Sequence, residues 1–197
     1  MRPGVSSTAR RLWLVRHAEP QVDPGVCYGA LDVPALPQAT QAVAQRLAAA
    51  LPRNAELWTS PLQRCECLAQ TLIGLRPDFS INLVAGLREM DFGTWEGQRW
   101  DAVPRTELDA WTANFAHHPC GGAQSVAQFM AQVGACWDAW RAQRPARPTV
   151  WITHAGVIRA ATLLARGQRH IDRADAWPAQ PIDFGGWQVL AASGATG

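Results

Sequence analysis

Leu12-Trp13-Leu14-Val15-Arg16-His17 is the stretch that decides the reading of this chain. Four apolar residues deliver an arginine and a histidine to the point where a short strand ends. The arrangement recurs far downstream, where Val150-Trp151-Ile152-Thr153 ends in His154 and is followed by Ala155-Gly156. Buried parallel strands read as apolar runs, and open α/β sheets gather ligand sites at the carboxyl ends of their strands. Two histidines at two such ends can face one pocket, and the chemistry this suggests is on an anionic group.

Outward from the first strand, expected over Leu12 to Val15, the pattern alternates. A loop rich in Pro, Gly and Asp runs from Ala18 to Pro37. Ala39, Ala42, Val43, Leu47, Ala50 and Leu51 then repeat at helical spacing, and Pro52 stops that helix. Glu56 to Thr59 reads as a second strand. Ser60-Pro61-Leu62-Gln63 has the form of a helix start, with Ser60 as N-cap and Leu62, Cys65, Leu68, Ala69, Leu72 and Ile73 as the buried stripe. Arg64 is placed beside that stripe and not on it. A third strand is expected over Ile81 to Val84, and helices near Pro104 to Phe115 and Ser125 to Arg141. Thr149 to Thr153 is the fourth strand, Val157 to Ala165 a further helix, and Gly186 to Leu190 an edge strand. Strands alternating with helices imply an α/β three-layer sandwich with a mostly parallel central sheet.

Composition sets the bounds. The chain has 197 residues, 48% hydrophobic and 17% charged, which predicts one domain from residue 12 to 197 after a loosely held extension, Met1 to Arg11. No apolar run reaches the roughly 20 residues that cross a bilayer, and a soluble cytoplasmic protein is expected, with no membrane partner. The net charge of +2 is too small to imply a nucleic-acid surface. All 18 basic residues are arginine, and the seven between Arg141 and Arg173 read as a solvated basic face. Five cysteines, odd in number and without C-x-x-C spacing, argue against a disulfide framework or a zinc site. Cys65 and Cys136 fall on apolar helix faces, and Cys27 lies in a loop.

The candidate chemistry rests on Arg16, His17, Arg64, Glu89 and His154. Two arginines can grip a phosphoryl group with forked hydrogen bonds. A neutral imidazole is an available nucleophile near physiological pH. A carboxyl group is the natural acid for an alkoxide leaving group, and a second histidine can add positive charge where the transition state needs it. Taken singly, each has an ordinary structural reading; the argument lies in their occurring together and in order.

Four segments carry a resemblance: Leu14-Val15-Arg16-His17-Ala18-Glu19, Ser60-Pro61-Leu62-Gln63-Arg64, Leu87-Arg88-Glu89 through Gly93-Thr94-Trp95-Glu96-Gly97, and Thr153-His154-Ala155-Gly156-Val157-Ile158-Arg159. They resemble the histidine phosphatase superfamily, with its phosphoglycerate-mutase-like fold, from about Leu12 to Leu164. The resemblance implies a phosphohistidine mechanism. In it His17 attacks phosphorus, Glu89 protonates the departing oxygen and then activates water, and Arg16, Arg64 and His154 bind the phosphoryl oxygens. It implies no metal and no cofactor, a small phosphorylated substrate, and a homodimer as the possible assembly.

The departures are specific. Ala18 stands where the family often has Gly. Asp23 stands where an Asn often helps hold phosphate, and an acid there would repel the ligand, so no phosphate contact is expected of Asp23. Gly121-Gly122-Ala123-Gln124-Ser125 replaces a common Gly-Gly-Glu-Ser segment and lacks its carboxylate.

The segment Arg88 to Gly97 and the compact length resemble the phosphatase branch more than the mutases. Pro24-Gly25-Val26-Cys27-Tyr28-Gly29-Ala30-Leu31-Asp32-Val33-Pro34 resembles the loop of α-ribazole phosphatases, which act in cobalamin assembly. Tyr28 there either packs its loop or walls the pocket, and Trp100 and Trp111 are candidates for a cap over the site. Three alternatives stay open: a broad-specificity sugar or nucleotide phosphatase, a phosphoglycerate-type mutase, and a non-catalytic module that binds phospho-ligands.

Overall fold

The computed structural model describes residues 11–143 and 147–191. The expected extension lies outside the described residues except for Arg11, which opens the first strand. Five strands form one sheet: β1 (Arg11–Arg16), β2 (Glu56–Thr59), β3 (Ser80–Leu83), β4 (Thr149–Thr153) and β5 (Trp187–Ala191), in the order β3-β2-β4-β1-β5. The first four are parallel, and β5 is an antiparallel edge strand beside β1. The mixed α/β class and the mostly parallel sheet are as the alternation of strands and helices predicts.

Side-chain alternation along the strands divides the core into two layers. Val15, Leu57, Val150 and Ile152 face α1 (Pro37–Ala50) and α2 (Gln63–Leu75). A nine-residue helix, α3 (Arg105–Ala113), sits in the long excursion between β3 and β4. On the other face, Leu12, Leu14, Trp58 and Trp151 pack against α4 (Val126–Ala142) and α5 (Ala155–Ala165). Every residue of β4 is buried, which explains its unbroken run of apolar and threonine side chains.

Local chemistry fixes the helix ends. Leu51 is extended ahead of Pro52, because the proline ring disfavours helical backbone in the residue before it. Ser125 caps α4 through a reciprocal pair with Gln128: its hydroxyl accepts from the Gln128 amide, and the Gln128 side chain accepts from the Ser125 amide.

The start of α2 is a correction. Its N-cap is Leu62, without any side-chain cap, and the helix begins at Gln63. Ser60 instead continues the ladder beyond β2, donating its backbone N–H to Ile152 O at 3.0 Å. Helix α5 also begins two residues earlier than expected, with His154 at its N-cap.

The site is set by this topology. The chain leaving β1 goes to α1 on one face, and the chain leaving the adjacent β4 enters α5 on the other. A crevice opens between two such diverging connections. His17 and His154 stand at its floor. Among the described residues, no helix is long and apolar enough to cross a membrane.

Candidate active site

His17 follows the last residue of β1 and is held from both sides. Its backbone N–H donates to Thr153 O at 2.9 Å, and its carbonyl accepts from the Gly185 N–H at 3.0 Å. The side chain is 2% exposed. Nδ1 lies 2.7 Å from the carbonyl oxygen of Ala18. A carbonyl can only accept, so Nδ1 carries the proton and the lone pair is left on Nε2. Burial, then the charge of Arg64, lower the pKa of His17 to about 3. The imidazole is therefore neutral, with its nucleophilic nitrogen fixed in direction. Arg16, the residue before it, lays its guanidinium 3.8 Å from the centre of the Phe184 ring and donates to the carbonyl of Ile182.

Arg64 is fully buried, not beside the helix stripe but under the Gly29–Leu31 loop. Nη2 donates to Gly29 O at 2.6 Å and Nη1 to Leu31 O at 2.8 Å. Its Nε donates to His154 Nδ1 at 3.3 Å. Because Arg Nε cannot accept, His154 Nδ1 must be the unprotonated nitrogen, and Nε2–H is directed to Ser60 Oγ at 2.8 Å. Burial, with His17 and Arg64 close by, holds His154 well below the ordinary imidazole range. The two histidine rings meet edge-on with centroids 5.2 Å apart. Negative charge entering between them would oppose the coulombic part of that depression and so favour the protonated ring, while burial continues to oppose it.

Glu89 reaches the same place from the loop after β3. Oε2 accepts from the Gly156 N–H at 2.9 Å, and Oε1 from the Met90 N–H at 3.1 Å. Those bonds and the nearby arginines favour the carboxylate, yet burial outweighs them and raises its pKa above the ordinary range. A carboxyl group so placed can hold a proton for a leaving alcohol. Gly156 leaves the room in which the carboxylate sits: a Cβ at that position would lie 2.2 Å from Glu89 Oε1, and the carboxylate would have to shift.

The five residues named from the sequence line one cavity of about 230 Å³, joined by Tyr28, Trp100 and Arg159. Tyr28 is on the pocket wall, and the Arg64 guanidinium lies 5.3 Å from its ring centre. Trp100 reaches this cavity, whereas Trp111 lines a neighbouring one. Asp23 is exposed and lies outside the lining. Gln124 is occupied structurally: its side-chain carbonyl accepts from the Asp91 N–H at 3.1 Å.

Three residues carry no role in the site from the sequence alone. Ser60 orients His154. Glu96 staples two loops, accepting from Phe92 N at 2.9 Å and Ala30 N at 2.8 Å, and also from Leu31 N. Arg159 sits one helical turn beyond Gly156, a spacing of three that puts both on one face of α5. Among the described residues, no group of His, Cys, Asp and Glu side chains is arranged to hold a metal ion.

Comparison with known proteins places the fold. TTHB049 from Thermus thermophilus is 30% identical, the match covering 91% of this chain and 92% of that one, with a TM-score of 0.66. Mycobacterial glucosyl-3-phosphoglycerate phosphatase Rv2419c shares the fold at 24% identity, covering 92% of this chain and 89% of that one, with a TM-score of 0.70. A candidate alpha-ribazole-5'-P phosphatase from Escherichia coli K-12 MG1655 shares it at 22% identity, with coverage of 92% and 89% and a TM-score of 0.75. No curated protein matches the chain significantly. The family model of the histidine phosphatase superfamily (branch 1) matches residues 12–188, and the chain belongs to that superfamily.

Proposed function

We propose that the protein is a phosphomonoesterase that works through a phosphohistidine on His17, and that its substrate is α-ribazole 5′-phosphate. The observation that carries the first part is the pinning of His17 Nδ1–H on the Ala18 carbonyl, which leaves Nε2 as a neutral nucleophile in a cavity lined by Arg16, Arg64 and Arg159.

The phosphoryl oxygens lie against Arg16, Arg64 and His154. Nε2 of His17 attacks phosphorus as the ester P–O bond breaks, and Glu89 delivers its proton to the departing oxygen. Water then attacks phosphorus, Glu89 takes back a proton, and the P–N bond breaks to release phosphate. One ester and one water give one alcohol and one phosphate, and His17 and Glu89 return to their starting states. Positive side chains supply the electrostatics throughout.

What supports the substrate is the likeness of the Pro24–Pro34 loop to that of α-ribazole phosphatases, together with the place of Tyr28 on the cavity wall. The test is phosphate release from α-ribazole 5′-phosphate beside a panel of sugar, nucleotide and glycerate phosphates, with His17→Ala as blank. A kcat/KM about 100-fold above the panel is expected, worth roughly 2.7 kcal/mol of transition-state binding. Equal rates across the panel would overturn the substrate assignment. Transfer of the phosphoryl group to an added alcohol in preference to water would show a mutase instead.

A further inference from the structure

Beside the phosphoryl cavity lies a second one, of about 320 Å³, which shares Glu89 and Arg159 with it. Its walls are mainly apolar, with five aromatic side chains among them: Phe92, Trp111, Phe115, Phe129 and Trp177. The rings pack on one another, Trp111 to Phe115 at 5.2 Å and Phe115 to Trp177 at 6.3 Å between centroids. These residues come from the acid-bearing loop, α3, α4 and the segment after α5. Glu89 lines both cavities, so whatever leaves with the proton it donates must pass into or beside this cleft.

Two hydrogen-bond donors on the lining are unused. Trp111 Nε1 and Arg159 Nε are both buried without a partner, although Arg159 Nη2 donates to Gln180 O at 3.2 Å. Buried donors without acceptors are rare in folded proteins and mark places where a ligand or water completes the set. The one hydroxyl on the lining, Thr112 Oγ1, already donates to Leu108 O at 3.0 Å within its own helix.

We propose that this cleft is the subsite for the leaving alcohol, and that it selects a flat, largely apolar ring system over a polyol. The inference rests on the phosphomonoesterase reading above and adds the place where the ring of the leaving group is held and what that place selects. A polyhydroxylated sugar fits poorly: each hydroxyl buried against the aromatic walls without a partner loses its hydrogen bonds to water, and the cleft offers few groups to replace them. A flat ring buries its faces against the aromatic walls, and its acceptor atoms take the N–H groups of Trp111 and Arg159. Selection by shape and burial favours rings, while selection by unmet hydrogen bonds rejects polyols.

The test uses three phosphate esters of unactivated primary alcohols, so that leaving-group chemistry is matched: 2-(naphthalen-2-yl)ethyl phosphate, propyl phosphate and glucose 6-phosphate. Each is measured for hydrolysis by the full chain and for binding by calorimetry. The naphthylethyl ester should exceed glucose 6-phosphate at least 100-fold in kcat/KM. Trp111→Ala should lower the ratio of naphthylethyl to propyl ester at least tenfold, and Trp177→Ala should do the same as an independent check on the cleft. Equal kcat/KM for the three esters would overturn the cleft assignment and leave the phosphatase reading intact. If none is hydrolysed, the phosphatase reading stands or falls on α-ribazole 5′-phosphate, and calorimetry decides the cleft. Tenfold tighter binding of the naphthylethyl ester, lost in Trp111→Ala, supports the cleft, and equal binding overturns it.

Discussion

Glu89 and Gly156 are packed as one unit: the Gly156 N–H donates to Oε2 at 2.9 Å, and a methyl group at position 156 would stand 2.2 Å from Oε1. The carboxylate must therefore swing away in Gly156→Ala. Displacement of a reacting group by about 1 Å can cost about 100-fold in rate. We expect kcat/KM of Gly156→Ala to fall about that much on alkyl phosphates and far less on a nitrophenyl ester, whose leaving oxygen scarcely needs a proton. A uniform loss on both esters would contradict the role given to Glu89.

The pH profile of kcat/KM reports the free enzyme. Burial and the charge of Arg64 place the His17 pKa at about 3, so the imidazole stays neutral far below the ordinary value near 6.5. Once corrected for ionisation of the substrate, the acid limb should be absent at pH 6.5 and begin only well below pH 5. Glu89, raised by burial, sets the alkaline limb, which Glu89→Gln should remove. An acid limb near pH 6.5 would mean that His17 is not held neutral.

Stability should follow with a definite sign. Below about pH 6.5 the unfolded chain takes up protons on His17 and His154 that the folded protein refuses. Unfolding therefore becomes easier as pH falls from 6.5 toward 3, and the loss is complete below the folded values. His17→Asn should flatten that dependence, as read from denaturant midpoints between pH 7 and 4. An unchanged slope would contradict the buried, neutral state of this ring.

Arg64→Lys tests the forked geometry. Lysine cannot reach Gly29 O, Leu31 O and His154 Nδ1 together, as the guanidinium does. We expect kcat/KM to fall by about 100-fold or more, with weaker competitive inhibition by inorganic phosphate. Inhibition by phosphate as strong as in the unaltered protein would show that Arg64 holds the loop and not the ligand.

How far the sequence can be read depends on range. The strands and the candidate-site residues at their ends are legible because a buried parallel strand is a continuous apolar run, and His17 and His154 follow such runs directly. Ser60 reads as a helix cap because its hydroxyl's partner, His154 Nε2, lies 94 residues away. Arg64 reads as lying beside the buried stripe because helical periodicity says nothing of the Gly29–Leu31 loop that closes over it. Arg159 carries a usable signal: a spacing of three from Gly156 puts it on the site face of α5. The aromatic cleft carries none, since Phe92, Trp111, Phe129 and Trp177 meet only through packing of four separate segments.

Thiol reactivity offers a check on the loop under the site. Cys27 is fully buried, and burial with Glu96 nearby pushes its pKa up to about 12, whereas Cys67 is exposed. Alkylation of the native protein should label Cys67 and spare Cys27 until unfolding. Early labelling of Cys27 would mean that the Pro24–Pro34 loop opens in the folded state.

The most direct test of the central claim is to trap the intermediate. Rapid acid-free quench of turnover with a ³²P-labelled ester, followed by peptide mapping, should place an acid-labile, alkali-stable label on the peptide containing His17, and none in His17→Ala. Turnover without protein-bound label, or label on another residue, would contradict the phosphohistidine account.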